Sequence, residues 1–352
     1  MDATLYKPSF STIKKENTII FIDPETPNWV AVNSHGASVL ELCDGRKTTR
    51  EITEHLSASY SKDDVHRFIR EAVKCEIINT KPFSSSYPGR TAYLKPKRLE
   101  ELWVYVTNRC NLRCGHCLVR GGEITKDELN VEDLKEVLKD ATRLGAKRIF
   151  FTGGEPFLRN DIFELIRYVT EELKIELVIL TNGTFLNEEK VRKLAGFSRL
   201  VMQVSLEGHT PEINDTIRGG GSHKKALRGI ELLRSHGIRT IVTSTATRKN
   251  IDDIPRLSDM LFEKDVRTHH ILWVHERGRA AENPVSVGTE KLVDLMKNLK
   301  EKDIKVDNWE SSKARVYGKR GTKVDGCHAG FSSLSVDSNG DIYPCPSLNG
   351  DP

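Results

Sequence analysis

From Leu102 onward the chain repeats one unit, a short apolar run that suits a strand followed by an amphipathic stretch that suits a helix. The apolar runs are Leu102–Val106, Arg148–Thr152, Glu176–Leu180, Leu200–Ser205, Arg239–Thr243 and Thr268–Val274, and the helical stretches lie near 131–144, 161–173, 187–195, 223–236 and 252–264. Asn130 is placed to cap the first helix, with Leu134, Val137, Leu138, Ala141 and Leu144 as its buried stripe. Six such alternations predict an α/β fold with a parallel sheet and right-handed crossovers, either open or curved into a partial TIM-type (β/α)6 barrel. Periodicity does not choose between the two. In both, residues just past the strand ends line the edge where ligands bind.

On that edge, directly after the first strand and Thr107-Asn108-Arg109, stands Cys110-Asn-Leu-Arg-Cys114-Gly-His-Cys117. Three thiolates at this pitch can hold three corners of a cubane iron–sulfur cluster, whose stable ligation normally takes four, so one iron stays open to a small molecule. Zinc held by the three cysteines and His116 competes, although zinc sites more often pair their cysteines as C-x2–4-C. Inert cysteines are the third reading. The second strand ends in Phe151-Thr-Gly153-Gly154-Glu155-Pro156, where paired glycines allow close backbone approach and Glu155 could accept from a cationic amine.

The remaining numbers narrow the class. Seven cysteines, an odd count with three crowded together, point to metal ligands in a reducing compartment, hence a cytoplasmic protein. A net charge of +4 over 352 residues is too dilute to argue for nucleic acid or an anionic membrane. No apolar run approaches the ~20 residues of a spanning helix, and the N-terminus lacks the charged-then-apolar order of a signal peptide.

Residues 1–81 read as a winged-helix-like α+β unit. Thr18–Asp23 and Trp29–Val32 suggest a hairpin, followed by a helix from Ser34 that Gly45 is placed to stop. A second helix begins near Thr48 with Glu51 at capping-box spacing, and a third is capped by Ser61 with Val65, Phe68, Ile69, Ala72 and Val73 inward. Cys43 and Cys75 are assigned to packing. Residues 82–98, rich in Pro, Ser and Gly, read as a linker. The α/β domain is taken as 99–300, and 301–352 as an incomplete C-terminal segment whose Asn339-Gly340 signals a hairpin. The basic stretch 313–323 is read as a solvated loop, and His269, His270, His275 and Trp273 as packing or edge residues.

The cysteine triad after strand one and Gly-Gly-Glu after strand two resemble the motifs of radical S-adenosylmethionine (SAM) enzymes. Ser205-Leu-Glu207-Gly-His…Ile217-Arg218-Gly219 is similar to the fourth-strand segment of the branch that matures peptides and proteins, which usually has Asp where Glu207 stands. Thr181-Asn182-Gly183 and Arg277-Gly-Arg-Ala also fit. The resemblance implies that Cys110, Cys114 and Cys117 hold a [4Fe–4S] cluster and that SAM chelates its open iron. It further implies that Gly153, Gly154 and Glu155 position the methionyl ammonium, with Asn182, Ser205 and Arg218 as further cofactor contacts, Arg218 pairing with a carboxylate. An electron, from a donor such as flavodoxin or ferredoxin, would cleave SAM to a 5′-deoxyadenosyl radical that abstracts a substrate hydrogen.

Val32–Gly45 with Thr48-Thr-Arg-Glu-Ile resembles a PqqD-like leader-recognition domain, which implies a ribosomally made precursor peptide bound by β-augmentation. A winged-helix DNA reader is the rival, but residues 1–81 carry 11 Lys and Arg against 12 Asp and Glu, not a basic face. Cys327 and Cys345 resemble the opening of an auxiliary-cluster (SPASM or twitch) domain, implying a second Fe–S cluster. Since the chain stops seven residues after Cys345, a truncated auxiliary domain is expected, with two free buried cysteines as the alternative. The expected activity is a peptide maturase that forms a thioether or carbon–carbon crosslink. The alternatives are a maturase of a sulfatase or cofactor precursor, and a non-catalytic peptide-binding scaffold with a structural zinc.

Overall fold

Helix starts in the first eighty residues follow from side-chain oxygens that meet backbone N–H groups. Asn33 accepts from Gly36 at the start of α1 (Ser34–Leu42), Thr48 and Glu51 form a reciprocal capping box at α2 (Thr49–Leu56), and Ser61 accepts from Asp64 at α3 (Lys62–Lys74). The computed structural model describes residues 2–15, 17–23, 28–83, 98–122, 127–306 and 329–349. These fall into two compact units, 2–83 in one and the rest in the other. Residues 84–97 of the expected linker, the basic stretch 313–323 and Cys327 lie outside the described residues.

In the small unit β1 (Thr4–Tyr6) pairs with β5 (Asp44–Thr48), and β2 (Ser11–Lys15), β3 (Thr18–Asp23) and β4 (Asn28–Val32) form an antiparallel sheet. The expected hairpin is β3–β4. Strand β2 was not foreseen, because its Ser-Thr-Ile-Lys-Lys has only one apolar residue. Phe21, Val30, Leu40, Ile52, Val65 and Ile69 close one core. Gly45 does not stop α1, whose C-cap is Cys43. It lies within β5 at φ +83°, and a Cβ there would sit 2.6 Å from the Tyr6 ring.

The larger unit runs β6 (Glu101–Thr107), α4 (Val131–Arg143), β7 (Arg148–Gly153), α5 (Ile162–Arg167), β8 (Glu176–Thr181), α6 (Glu188–Leu194), β9 (Leu200–Ser205), α7 (Pro211–Arg218), α8 (Ser222–Ser235), β10 (Arg239–Ala246), α9 (Ile254–Glu263) and β11 (Thr268–Trp273). It continues with α10 (Arg279–Glu282), α11 (Thr289–Lys300), β12 (Lys305–Val306), β13 (Ser333–Val336) and β14 (Ile342–Tyr343). The helix expected over 161–173 is α-helical to Arg167 and then widens into a π turn, Tyr168–Glu172.

The sheet order β12-β11-β10-β9-β8-β7-β6-β13-β14 is sequential from β6 to β12, and neighbours there are parallel. Right-handed crossovers in a sequential sheet place their helices on the same face, which is the winding of a barrel. That decides between the open and curved alternatives. The two faces separate with a period of two. Val104, Ile149, Phe151, Ile179, Met202 and Val204 pack with the helices, whereas Trp103, Phe150, Val178, Leu180, Val201 and Ile241 share the other side. There Trp103 stacks on Phe150, ring centroids 3.9 Å apart. The tail hairpin does not stand alone. β13 adds parallel to β6 in the register Ser333↔Glu101 to Val336↔Val104, so it continues the barrel sheet.

Candidate active site

The three cysteines sit on the loop that leaves β6, at the carboxyl edge of the sheet, and the next strand's glycines hold that loop. Gly154 N donates to Thr107 O and Glu155 N to Arg109 O, both at 2.8 Å. A Cβ on Gly153 would lie 2.1 Å from Thr107 O, and one on Gly154 would lie 2.1 Å from Arg109 O. The paired glycines are therefore required by the loop, whatever else approaches them. Gly122 N closes the far side on Asn108 O at 2.8 Å, and Glu128 accepts from Asn108 N at 2.7 Å.

Each sulfur faces a donor. Cys110 Sγ accepts from Leu112 N at 3.5 Å, Cys117 Sγ from Gly121 N at 3.3 Å, and Arg218 Nη1 stands 3.8 Å from Cys114 Sγ. All three thiols are free. Burial pushes Cys110 up to about 11 and raises Cys114 against the pull of Arg218. A metal ion bound there would have to displace a proton from Cys110, so its uptake would be coupled to proton release.

Beneath Cys114 lies a buried carboxylate. Glu207 Oε1 accepts from Arg218 Nη2 at 2.7 Å and Nε at 3.1 Å, and Oε2 accepts from Thr245 N at 2.7 Å. His116 Nε2 is 3.4 Å from the same Oε1, while its Nδ1 is buried without a partner. Burial lowers His116 to about 4, so it is neutral near pH 7. From α10, Arg279 Nε donates to Cys114 O and Nη2 to Gly121 O, both at 3.0 Å, and its Nη1 is a buried donor without a partner.

The residues expected at the cofactor also have partners within the chain. Both Glu155 oxygens are engaged, Oε1 by Thr181 Oγ1 at 2.8 Å and Phe157 N at 3.1 Å, Oε2 by Asn182 N at 2.8 Å. A carboxylate has about four acceptor positions, so one on Oε2 remains. Arg218, expected at a cofactor carboxylate, finds its carboxylate inside the chain in Glu207. Asn182 Nδ2 reaches Asn111 Oδ1 on the cysteine loop at 2.9 Å, and so ties strand β8 to it. Ser205 ends β9, half-buried, level with Thr243.

Cys345 is free and half-buried, accepting from Ser347 N at 3.4 Å. The adjoining turn docks through Tyr105 Oη to Pro346 O at 3.0 Å and Arg277 to Ser347 O. His269 is a core residue between Ser244 and Ser258, 2.8 Å from each. Sequence reasoning missed the Glu207–Arg218 pairing and the part played by Arg279. The only trace of the second was Arg277-Gly-Arg-Ala after strand six.

The residues fit a cubane cluster better than one zinc ion. Among the described residues no three His, Cys, Asp or Glu side chains converge on a single ion. Ligands of one zinc must, with Zn–S about 2.3 Å, whereas a cubane distributes its thiolates over separate irons. Gly121 keeps space beside two of them, since a Cβ there would lie 3.4 Å from Cys110 Cβ and 3.8 Å from Cys117 Sγ. Against the charge that three thiolates would bring stand Arg279 and Arg218, the latter already paired with Glu207.

Residues 104–261 match the Radical SAM superfamily, and residues 19–78 match coenzyme PQQ synthesis protein D (PqqD). An Fe-coproporphyrin III synthase of Methanosarcina barkeri is 32% identical over 210 residues, 58% of this chain and 52% of that protein. The mycofactocin maturase MftC of Mycolicibacterium smegmatis is 28% identical over 247 residues, 68% of this chain and 62% of that protein. The chain thus spans between half and two thirds of the length of these relatives. The crystal structure of Streptococcus suis SuiB bound to precursor peptide SuiA matches 100% of this chain and 84% of that one with a TM-score of 0.61. At 17% identity that likeness concerns the fold.

Proposed function

For this chain, which carries a radical SAM domain behind a PqqD domain, we propose the activity of a peptide maturase that modifies a ribosomally made precursor. Cys110, Cys114 and Cys117 would hold a [4Fe–4S] cluster, with SAM bound at the edge formed by Gly153, Gly154, Glu155, Asn182 and Ser205. So loaded, the site would supply a 5′-deoxyadenosyl radical that removes a hydrogen atom from the peptide. The chain's own residues keep the loop in place: Gly153 and Gly154 let β7 close on it, and Arg279 ties Cys114 to Gly121. Residues 1–81 would bind the leader, a flavodoxin or ferredoxin would deliver the electron, and the product would be a thioether or carbon–carbon crosslink. Cys345, with Cys327, would belong to an auxiliary cluster, and the reducing chemistry suits the cytoplasm. Among the described residues no helix is long and apolar enough to cross a membrane.

The observation that carries this reading is the loop itself, three free thiols with a hydrogen-bond donor at each sulfur. Anaerobic reconstitution with iron and sulfide, then an assay for 5′-deoxyadenosine after reduction, tests it. Protein that takes up zinc in place of iron and sulfide, and leaves SAM intact, refutes it.

A tetrapyrrole substrate is the second reading, favoured by the 32% identity to the Fe-coproporphyrin III synthase. Against it stands the PqqD match at residues 19–78, outside the radical SAM domain. Titration of the full chain with candidate leader peptides and with an iron porphyrin separates the two.

A further inference from the structure

Helix α7 touches the cysteine loop at three points, one of them the Cys114 thiol donating to Arg218 O at 4.0 Å. Ile217 offers its carbonyl oxygen to Gly115 N at 3.0 Å, and the next residue, Arg218, brings Nη1 to 3.8 Å from Cys114 Sγ. The guanidinium cannot swing away, because Nε and Nη2 both donate to Glu207 Oε1, at 3.1 and 2.7 Å. Glu207 is fixed in turn by Thr245 N on Oε2 at 2.7 Å, and its own N–H donates to Asn214 Oδ1 at 2.9 Å. Glu207 is fully buried and Arg218 is 9% exposed. A guanidinium held by two of its nitrogens has one edge left, and here that edge faces sulfur. The three cysteines are unequal in this respect. Cys110 and Cys117 receive backbone N–H groups, and Cys114 a charged donor.

We propose that Arg218 is a positioning residue for the iron–sulfur centre. Its Nη1–H bonds the Cys114 thiolate and raises the reduction potential of the cluster, and Glu207 sets the strength of that bond by fixing the guanidinium. The inference rests on the reading that the triad holds a cluster. Positive charge and hydrogen bonds at a ligating sulfur stabilise the added electron, and partners outside the ligand set are a recognised control of cluster potential. Low dielectric makes the term large, because both members of the pair are withdrawn from water. A buried ion pair by itself is weak evidence for stability, so its place beside a ligating sulfur is the informative part.

The test is the sign of two shifts. The full chain is reconstituted anaerobically, iron and sulfide are counted, and the midpoint potential is read by EPR-monitored titration. Arg218→Gln removes the cation and should move the midpoint to more negative values. Glu207→Gln removes the counter-charge and should move it the other way. Arg218→Lys keeps a charge but cannot serve Glu207 and Cys114 together, and should fall between wild type and Arg218→Gln. Unchanged midpoints at full cluster content, or two shifts of one sign, overturn the proposal. If Arg218→Gln takes up no iron, Glu207→Gln decides: a positive shift supports tuning and no shift ends it. Failure of both to assemble also ends it, since the pair would then be scaffold. Wild-type protein that binds no iron and sulfide defeats the cluster reading instead, a separate outcome.

Discussion

Cys43 and Cys114 are buried thiols and Cys110 and Cys117 half-buried ones, yet the surroundings of Cys43 and of the triad have opposite polarity. In the small unit Cys43 Sγ donates to Val39 O at 3.2 Å among Leu5, Leu40 and Ile52, and burial pushes it up to about 12. On the barrel loop the sulfurs accept, from Leu112 N, Gly121 N and the Arg218 guanidinium. Burial alone does not separate the two kinds, because it also pushes Cys110 up to about 11. The direction of the hydrogen bond does at Cys110 and Cys117, whereas Cys114 Sγ both faces the Arg218 guanidinium and donates to Arg218 O at 4.0 Å. A sulfur that donates is satisfied as a thiol, whereas one that receives N–H groups is prepared for negative charge.

The largest expected effect is the loss of one corner of the loop. Cys114→Ala should abolish cluster assembly and 5′-deoxyadenosine formation, whereas Cys43→Ala should keep both and cost about 1–3 kcal/mol of stability as a core truncation. Iron analysis, a cleavage assay and urea unfolding measure the two halves. Normal SAM cleavage by Cys114→Ala would break the comparison outright.

A backbone change should come close to that. Gly154→Ala puts a methyl 2.1 Å from Arg109 O, a contact with main chain that cannot rotate aside, so the loop must move. Cluster content should fall several-fold. At Gly288 a Cβ meets nothing within 4 Å, and Gly288→Ala should reconstitute as wild type does. Equal iron content in both variants would mean that the Gly-Gly contact does not position the cysteines.

Much of the framework was legible because it is local. The caps at Thr48, Ser61 and Asn130 depend on neighbours three residues away, and the β/α rhythm on spacing within each element. The cysteine loop was legible as a motif, but not its support. Arg279 comes from 165 residues beyond Cys114, and Arg218 from 104. Helix α7, only eight residues long and mostly polar, offers one apolar pair, Ile213 and Ile217, too short a stripe to predict it. The parallel docking of β13 on β6 joins segments more than 200 residues apart, and Asn339-Gly340 signals the turn alone.

The contrast also predicts a pH dependence. The Cys43 thiol titrates near 12 in the folded chain against about 9 ordinarily, so the native state binds its proton more tightly. Its contribution is complete below about pH 9 and is lost as pH rises toward 12. The stability of wild type relative to Cys43→Ala should therefore shrink across that window, by about 2 kcal/mol at pH 10.5. Cys110 and the lysines titrate in both proteins and cancel. A difference flat from pH 8 to 10.5 would show that Cys43 is open to water in the folded state.

The smallest effect sharpens the comparison at equal cost in stability. Ser61→Ala removes an N-cap from α3, worth about 1 kcal/mol, in the unit that holds Cys43. Asn111→Ala removes two hydrogen bonds that tie the cysteine loop to the end of β8, from Asn182 Nδ2 and to Thr184 Oγ1, both at 2.9 Å. Half-exposed side-chain bonds of that kind are also worth about 1 kcal/mol together, once exchange with water is counted. The two variants should therefore unfold at similar urea concentrations. They should part in cluster retention: Ser61→Ala should bleach on exposure to a chelator at the wild-type rate, and Asn111→Ala several-fold faster, because only the second loosens a segment that carries ligands. Equal bleaching rates would mean that the loop is held by Gly154, Arg218 and Arg279 without help from β8.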